Sequence, residues 1–263
     1  MPYRIDVLHP PADALDRLIA LDALDIEAGD DTVAAILPDR VPGQTVADAL
    51  APAVVTMSAA VGRDDGSVWI LNPRPTQVGS FLLVPSHLTA PPGALRLSDG
   101  PAFGTGLHVT TALCLETLDD LLETTLPGSM LDVGTGSGVL ALAALLHGVQ
   151  TAVGLDIDPG ALEVAAENAR LNGVSERLHL LLGGPEVVDG RWPLVMANVL
   201  AAPLMDMAAM LVQRVGHDGE LVLSGVHSAV ASDVERAYRR LGMRHVRTES
   251  RGGWSMLLLR PSW

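Results

Sequence analysis

The sequence predicts an α/β protein in which a doubly wound, seven-stranded sheet follows a small α+β domain. Over residues 1–60 the strand-like and helix-like stretches follow the order βαββαβ, which is the pattern of a ferredoxin-like domain. From Met130 onward apolar strand-like runs alternate with helical stretches, as in a Rossmann-like parallel sheet. Between them residues 61–98 are rich in proline and other turn formers. We therefore expect a ferredoxin-like domain over 1–60, a linker over 61–98 and a Rossmann-like domain over 99–263.

The first domain is divided by the turn signals Gly29-Asp30-Asp31 and Pro42-Gly43. Its predicted elements are a strand YRIDVL, a helix over 11–21, strands over 23–27 and 32–37, a helix over 45–50 and a strand VVTMSAAV. Up to about residue 89 twelve acidic residues stand against five arginines. Because small domains of this kind usually bind rather than catalyse, a basic partner fits this charge, although a normally solvated acidic surface explains it equally.

The second domain is predicted to begin with a glycine-bearing loop at residues 103–106. An amphipathic helix that Thr110 or Thr111 opens then extends to about Glu123. The buried strand beginning at Leu131 follows. Later elements are a helix reaching Asn172-Gly173, strands RLHLLL and PLVMAN, a helix over about 203–215, a strand ELVLSGV, a helix over about 229–241 and a final strand pair around Arg251. Counting from Met130 gives seven strands, of which the last two are antiparallel.

Composition limits the classes of function and location. The chain has 31 acidic residues, 17 arginines, no lysine and a net charge of −14, and no basic patch is visible. We therefore expect no direct nucleic-acid partner. The uncharged run between Asp132 and Asp156 is interrupted by Gly148 and Gln150, so no membrane partner is expected. Cys114 stands alone as an inert buried thiol, and no metal site is expected. The first residues lack a secretory signal pattern, which favours the cytoplasm.

A glycine-rich turn within residues 131–159, LDVGTGSGVLALAALLHGVQTAVGLDIDP, points to a nucleoside-bearing cofactor. The run reads as strand, turn, helix, strand and acidic tip. Gly134, Gly136 and Gly138 permit a tight turn and a close approach of the backbone to a ligand at the helix N-terminus. Asp156 ends the second strand, where a carboxylate can accept hydrogen bonds from both ribose hydroxyls.

The spacing and charge of this turn favour S-adenosyl-L-methionine, with S-adenosyl-L-homocysteine as the product. Val139 occupies the position at which a dinucleotide fingerprint has glycine or alanine, and without lysine there is no phosphate-binding loop. Asp132 would repel a pyrophosphate but suits an ammonium. An ordinary strand-to-helix turn is the alternative interpretation, and Asp158 is interpreted as a helix cap.

Two further features are placed near this turn by the predicted topology. Asn198 ends the fourth strand, and ligands of doubly wound sheets lie at the carboxyl ends of the strands. Its carboxamide oxygen could accept a hydrogen bond from a substrate amine, although it could instead cap the next helix. Phe103 could pack on the cofactor as part of a loop that covers it, or it could be a hydrophobic plug.

Four separated motifs between residues 101 and 260 resemble the PrmA family, methyltransferases of large-subunit ribosomal protein 11. They are AFGTG…H…TT, LDVGTGSGVLALAAL, GLDIDP with AAENARLNG after it, and ANVLAAPL. The resemblance implies a class I S-adenosylmethionine-dependent methyltransferase fold, an N-terminal substrate-recruiting domain, and methylation of lysine side-chain and N-terminal amines of that basic protein.

The resemblance also implies a role for each matching site residue. The cofactor would be covered by Phe103, Gly104 and Thr105. Its methionine part would be held by Asp132, Gly134 and Gly136, and its ribose and adenine by Asp156 and Ile157. Near the transferred methyl and the incoming amine would stand Asn198 and Thr111.

Some positions depart from the family pattern and concern the substrate more than the chemistry. Leu107 and Val109 replace a polar residue and a proline, and the linker has Trp69 without the usual tryptophan pair and lysines. A methyltransferase for another protein lysine or a small amine therefore remains an alternative. A non-catalytic sensor of the cofactor is a second alternative, and a nicotinamide dehydrogenase, disfavoured by Val139, is a third. The oligomeric state is not predicted.

Overall fold

The computed structural model describes residues 1–63, 68–98, 104 and 106–263. The chain divides into two compact units, Met1–Pro73 and Arg74–Trp263. Within the described residues no helix combines the length and the apolar character needed to cross a bilayer.

The first unit is a four-stranded antiparallel sheet with two helices. Its elements are β1 (Tyr3–Leu8), α1 (Ala14–Ala20), β2 (Asp25–Ala28), β3 (Thr32–Leu37), α2 (Gly43–Leu50) and β4 (Val54–Ala59). Alternate residues of β1, Ile5 and Val7, are buried against Leu18 of α1 and Leu50 of α2 in one core. The strand order β2-β3-β1-β4 confirms the predicted ferredoxin-like arrangement.

Much of the predicted linker folds as part of the second unit. Residues 74–98 contain a three-stranded sheet made of β5 (Thr76–Val78), β6 (Phe81–Pro85) and β7 (Leu95–Leu97). The apolar residues of these short strands are buried in the same core as the two helices that follow. The division between the units therefore falls at residue 73, whereas the turn formers predict a boundary at residue 98. Proline and glycine mark the turns of this sheet as well as they would mark a connector.

The rest of the second unit is a seven-stranded sheet with helices on both faces. Its elements are α3 (Val109–Thr124), β8 (Ser129–Val133), α4 (Val139–Leu146), β9 (Thr151–Asp156), α5 (Pro159–Leu171), β10 (Leu178–Leu182), β11 (Trp192–Asn198), α6 (Ala201–Asp206), α7 (Ala208–Arg214), β12 (Val215–His227), α8 (Ala231–Arg240), β13 (Met243–Arg251) and β14 (Trp254–Pro261). The order β10-β9-β8-β11-β12-β14-β13 confirms the predicted doubly wound sheet, with β14 antiparallel to both neighbours.

Strands β8 and β11 lie side by side at the point where the strand order reverses. They pair in parallel, with Met196 opposite Asp132 and Ala197 opposite Val133. Met130 faces one core and Leu131 the other, as expected for a strand covered on both faces. A crevice for ligands forms at such a switch point, so the carboxyl ends of β8 and β11 locate the site.

Helix α3 begins at Val109, within two residues of the predicted start. His108 is its cap, because its side chain accepts from the Thr110 amide. The helix predicted over about 203–215 is interrupted at Met207, between α6 and α7. Asp158 caps α5 as predicted, since its carboxylate accepts from the Gly160 amide at 2.9 Å. Cys114 is fully buried, and burial raises the pKa of its thiol to about 12.

Candidate active site

The glycine turn after β8 is held against the end of β9. The amides of Gly134 and Thr135 both donate to the carbonyl of Leu155, at 2.8 and 2.9 Å. Gly134 has φ +72°, and a Cβ there would lie 2.3 Å from Cγ1 of Val199. Glycine is therefore required twice over: for the backbone conformation and for the approach of the residue that follows Asn198.

Asp132 is a buried carboxylate with one unused oxygen. Its side chain is 1% exposed, and Oδ2 accepts from the Thr135 hydroxyl at 2.7 Å. Oδ1 has no hydrogen-bond partner among the described residues. Burial raises the pKa of this carboxyl to about 6. The Thr135 hydroxyl and the Ala141 backbone oppose the rise in pKa, and the charge of Asp156 adds to it. A cationic ligand group would supply both the missing partner and the missing countercharge.

Asp156 is oriented by two backbone amides at the end of β9. Oδ2 accepts from Gly136 at 2.9 Å and Oδ1 from Asp158 at 3.0 Å. Each oxygen keeps a further lone pair, so the carboxylate can still accept two hydroxyl donors. Ile157, the next residue, is 82% exposed and offers an apolar surface beside them. The arrangement suits a ribose and an attached base.

Asn198 and Thr111, which are 87 residues apart in sequence, meet in the structure. Asn198 Nδ2 donates to Thr111 Oγ1 at 3.4 Å, and Thr111 is fully buried in the first turn of α3. The Asn198 Oδ1 atom is buried and has no partner among the described residues. Directly after β11, the Val199 amide donates to the Ser224 carbonyl of β12. The carboxamide therefore presents an unused acceptor at the carboxyl end of the sheet.

The predicted covering loop is only partly described. Phe103 and Thr105 lie outside the described residues. Gly104 has φ +100°, and its carbonyl accepts from the Ser137 hydroxyl at 2.7 Å. That bond places Gly104 beside the glycine turn.

Three polar residues of the site carry no role in the sequence prediction: Thr135, Ser137 and Asn168. Thr135 and Ser137 stand between the glycines. They were not predicted because the motif is recognised by the spacing of its glycines. Asn168 lies within AAENARLNG and is fully buried. A polar residue on the apolar side of a predicted helix is the signal that could have found it, because buried amides need specific partners.

The hydrogen-bond acceptors of this site fit the predicted cofactor. The unpaired oxygen of Asp132 matches an ammonium, and the free lone pairs of Asp156 match two ribose hydroxyls. The residues that the structure describes contain no group of three or more His, Cys, Asp or Glu side chains placed to hold a metal ion.

Comparison with known proteins assigns the family. The profile of the family described as "Ribosomal protein L11 methyltransferase (PrmA)" matches residues 41–261. The chain belongs to this family. The family resemblance predicted from the four motifs is thus confirmed.

Several relatives named "Ribosomal protein L11 methyltransferase" match most of the chain. The protein of Geobacter sulfurreducens is 38% identical over 210 residues, which cover 78% of this chain and 69% of that protein. The protein of Hamiltonella defensa is 45% identical over 176 residues, which cover 65% of this chain and 57% of that protein. The chain thus spans between about half and two thirds of the length of these relatives.

A solved structure of a similarly named protein has a similar fold. The crystal structure titled as the ribosomal protein L11 methylase from Lactobacillus delbrueckii subsp. bulgaricus aligns with a TM-score of 0.67 at 28% identity. The alignment covers 73% of this chain and all of that one.

Proposed function

We propose that this protein transfers methyl groups from S-adenosylmethionine to lysine side-chain and N-terminal amines of large-subunit ribosomal protein 11. The observation that carries the proposal is the buried, unpaired carboxamide oxygen of Asn198, one strand away from the buried, unpaired carboxylate oxygen of Asp132. One acceptor suits a substrate amine and the other suits a cofactor ammonium. The family name and the names of the relatives support the choice of substrate.

The cofactor is held by groups on β8, on β9 and in the glycine turn. S-adenosylmethionine, when bound, supplies a methyl group on a positively charged sulfur. Asp132 would bind the ammonium of the methionine part, beside the backbone of Gly134 and Gly136. Asp156 would accept hydrogen bonds from the ribose hydroxyls, and Ile157 would border the adenine. Gly104 would cover the cofactor from the loop that precedes α3.

Asn198 orients the incoming amine. Its Nδ2 is engaged by Thr111 Oγ1, so the carboxamide turns its oxygen toward the substrate. An N–H of the amine would donate to Oδ1. This hydrogen bond would direct the nitrogen lone pair toward the methyl group to be transferred. Methyl transfer depends mainly on such alignment, because displacement needs an in-line approach. Burial around Asn198 and Thr111 favours the neutral amine over the ammonium, since desolvation disfavours charge.

The first unit is the proposed docking unit for the protein substrate. Residues 1–73 carry twelve acidic residues and four arginines, a balance that suits a basic partner. Leu15 and Ile19 lie one turn apart on α1 and are both exposed, which adds an apolar surface. Residues 74–263 then serve as the catalytic part. A ribosomal protein substrate would place the reaction in the cytoplasm.

Another protein lysine or a small amine is the second candidate substrate. The departures at Leu107, Val109 and Trp69 favour it, because none of them lies in the turn that holds the cofactor. Leu107 precedes α3, Val109 begins it, and Trp69 belongs to the first unit. A non-catalytic sensor would bind the cofactor without turnover, so a turnover assay separates it from both enzymatic candidates.

The test is intact-mass analysis of purified large-subunit ribosomal protein 11 after incubation with S-adenosylmethionine and this protein. We expect mass increments of whole methyl groups. Because this chain has no lysine, methylated lysines in the mixture belong to the substrate. Asn198→Ala should keep its affinity for the cofactor but lose about a hundredfold in turnover.

Three other outcomes are informative. Unchanged turnover in Asn198→Ala would remove that residue from the mechanism. Methylation of another protein in a lysate, with protein 11 unmodified, would move the proposal to the second substrate class. Cofactor binding with no methylated product would favour the sensor.

A further inference from the structure

Asn168 on α5 joins two segments that are distant in sequence. It is fully buried, and its Oδ1 accepts from the Ser98 amide at 2.8 Å. Its Nδ2 donates to the Ser137 carbonyl at 2.9 Å. Both ends of the carboxamide are therefore used, one on the chain that follows β7 and the other in the glycine turn. An apolar side chain of similar size would fill the space but leave the partly buried Ser98 amide and the buried Ser137 carbonyl unpaired.

Asn172 repeats the contact one helical turn later. Its Oδ1 accepts from the Arg96 amide at 2.9 Å, and its Nδ2 donates to the carbonyls of Arg96 and Asn168, both at 2.7 Å. The chain from β7 onward is thus bonded along α5 by two asparagines spaced four residues apart. Only Asn168, however, also contacts the glycine turn.

Ser137 is hydrogen-bonded to a third segment as well as to Asn168. Its carbonyl accepts from Asn168, while its hydroxyl donates to the Gly104 carbonyl at 2.7 Å. Ser137 is itself buried, and a Cβ at Gly104 would lie 2.8 Å from its Oγ. The end of β7, the glycine turn and Gly104 therefore meet through Asn168 and Ser137.

We propose that Asn168 is a positioning residue for cofactor binding, acting through Ser137. It sets the glycine turn relative to the end of β7 and, through the Ser137 hydroxyl, relative to Gly104. It contacts neither Asn198 nor Thr111 in any hydrogen bond of the structure's described part, so it affects binding of the cofactor rather than alignment of the amine. The proposal rests on the proposed function, because it takes S-adenosylmethionine as the ligand of this turn.

The sharpest variant is Asn168→Asp. It keeps an acceptor for the Ser98 amide but sets a carboxylate oxygen against the Ser137 carbonyl, so one buried bond becomes a contact between two acceptors. Asn172→Asp is the matched control. It makes the same substitution at the C-cap of α5, where Nδ2 donates to the carbonyls of Arg96 and Asn168. It leaves the side-chain bonds of Asn168 and the bonds of Ser137 intact.

The measurements are the dissociation constant of S-adenosylmethionine by calorimetry, the melting temperature, and kcat and KM for the cofactor. We expect Asn168→Asp to raise the dissociation constant and KM by about tenfold or more, with kcat at saturation within about twofold of the parent. Asn172→Asp should lower the melting temperature without raising the dissociation constant more than about twofold. A merely structural role would lower the melting temperature in both variants and change the affinity in neither.

A second variant keeps the test decisive if Asn168→Asp does not fold. Ser137→Ala removes the hydroxyl bond to Gly104 and preserves both bonds of Asn168. It should weaken cofactor binding several-fold with kcat retained.

The proposal is overturned by parent-like affinity in folded Asn168→Asp, by equal losses of affinity in Asn168→Asp and Asn172→Asp, or by parent-like affinity in Ser137→Ala. If the parent protein itself binds no S-adenosylmethionine, the proposed function fails and this inference falls with it. If the parent protein binds S-adenosylmethionine and the variants bind it with the same affinity, the proposed function stands and this inference alone is wrong.

Discussion

At the scale of single residues, the proposed contact between Asp132 and the cofactor ammonium should link cofactor affinity to pH. Its pKa is raised to about 6 by burial, so the carboxyl is neutral below that pH and charged above it. A cationic ligand group binds the charged form. We expect the dissociation constant of S-adenosylmethionine to rise as pH falls below about 6, approaching tenfold per pH unit. Calorimetry between pH 5 and pH 7 measures it. Asp132→Asn should bind weakly and with little dependence on pH; a flat profile for the parent protein would contradict the assignment.

The same carboxylate should destabilise the protein without its cofactor. Because the folded-state pKa lies above that of an unfolded aspartate, the folded protein binds more protons between about pH 4 and pH 6. The free energy of unfolding should therefore fall by up to about 3 kcal/mol as pH rises through that window, and then level off. Asp132→Asn should be more stable than the parent at pH 7 in urea unfolding. A less stable variant would show that the charge is better compensated than its burial indicates.

At the scale of elements, the turn between β8 and α4 depends on Gly134 in two ways. Alanine there must adopt φ near +72° and also displace Val199, the neighbour of Asn198. Gly173 after α5 has φ +68° with nothing within 4 Å of its position for a Cβ, so it is a matched control. We expect both alanine variants to lose about 1–2 kcal/mol from backbone strain. Gly134→Ala should lose more stability and also about tenfold or more in turnover.

Thermal unfolding and methyl-transfer kinetics on the two glycine variants decide this point. Equal stability losses and unchanged turnover in Gly134→Ala would mean that Val199 adjusts without moving Asn198.

Elements whose signals are local could be predicted from the sequence. The glycine turn is recognised from a short run of closely spaced glycines, although it is bonded to the end of β9 about twenty residues later. The Asp158 cap follows from a short motif because its partner, Gly160, lies two residues away. The cap on α3 could not be predicted in this way, because serine and threonine are the usual caps and His108 is not. The break at Met207 likewise has no proline or glycine to mark it.

At the scale of the whole molecule, the position of the boundary between the units is testable by truncation. Five buried residues of β5, β6 and β7 lie in the main core: Val78, Phe81, Leu83, Leu95 and Leu97. Burying each contributes about 2 kcal/mol, so their loss is comparable with the total stability of a domain. We expect residues 74–263 to fold and to bind S-adenosylmethionine, and residues 99–263 to lack cooperative unfolding.

Calorimetric melting and cofactor titration of the two fragments check this expectation. Cooperative melting of 99–263 at the temperature of 74–263 would show that the three short strands contribute nothing to the core.

The sequence by itself determined the class of fold, the kind of cofactor and most of the residues expected to hold it. Those features depend on period and spacing: alternation of strands and helices, three glycines, and an acidic residue at the end of the next strand. The three-dimensional structure was needed to show that Asn198 Nδ2 donates to Thr111 Oγ1, that residues 74–98 complete a core, and that Asn168 joins the glycine turn to the end of β7. Contacts between residues tens of positions apart depend on how strands are ordered and packed, and that order leaves no local pattern in the chain.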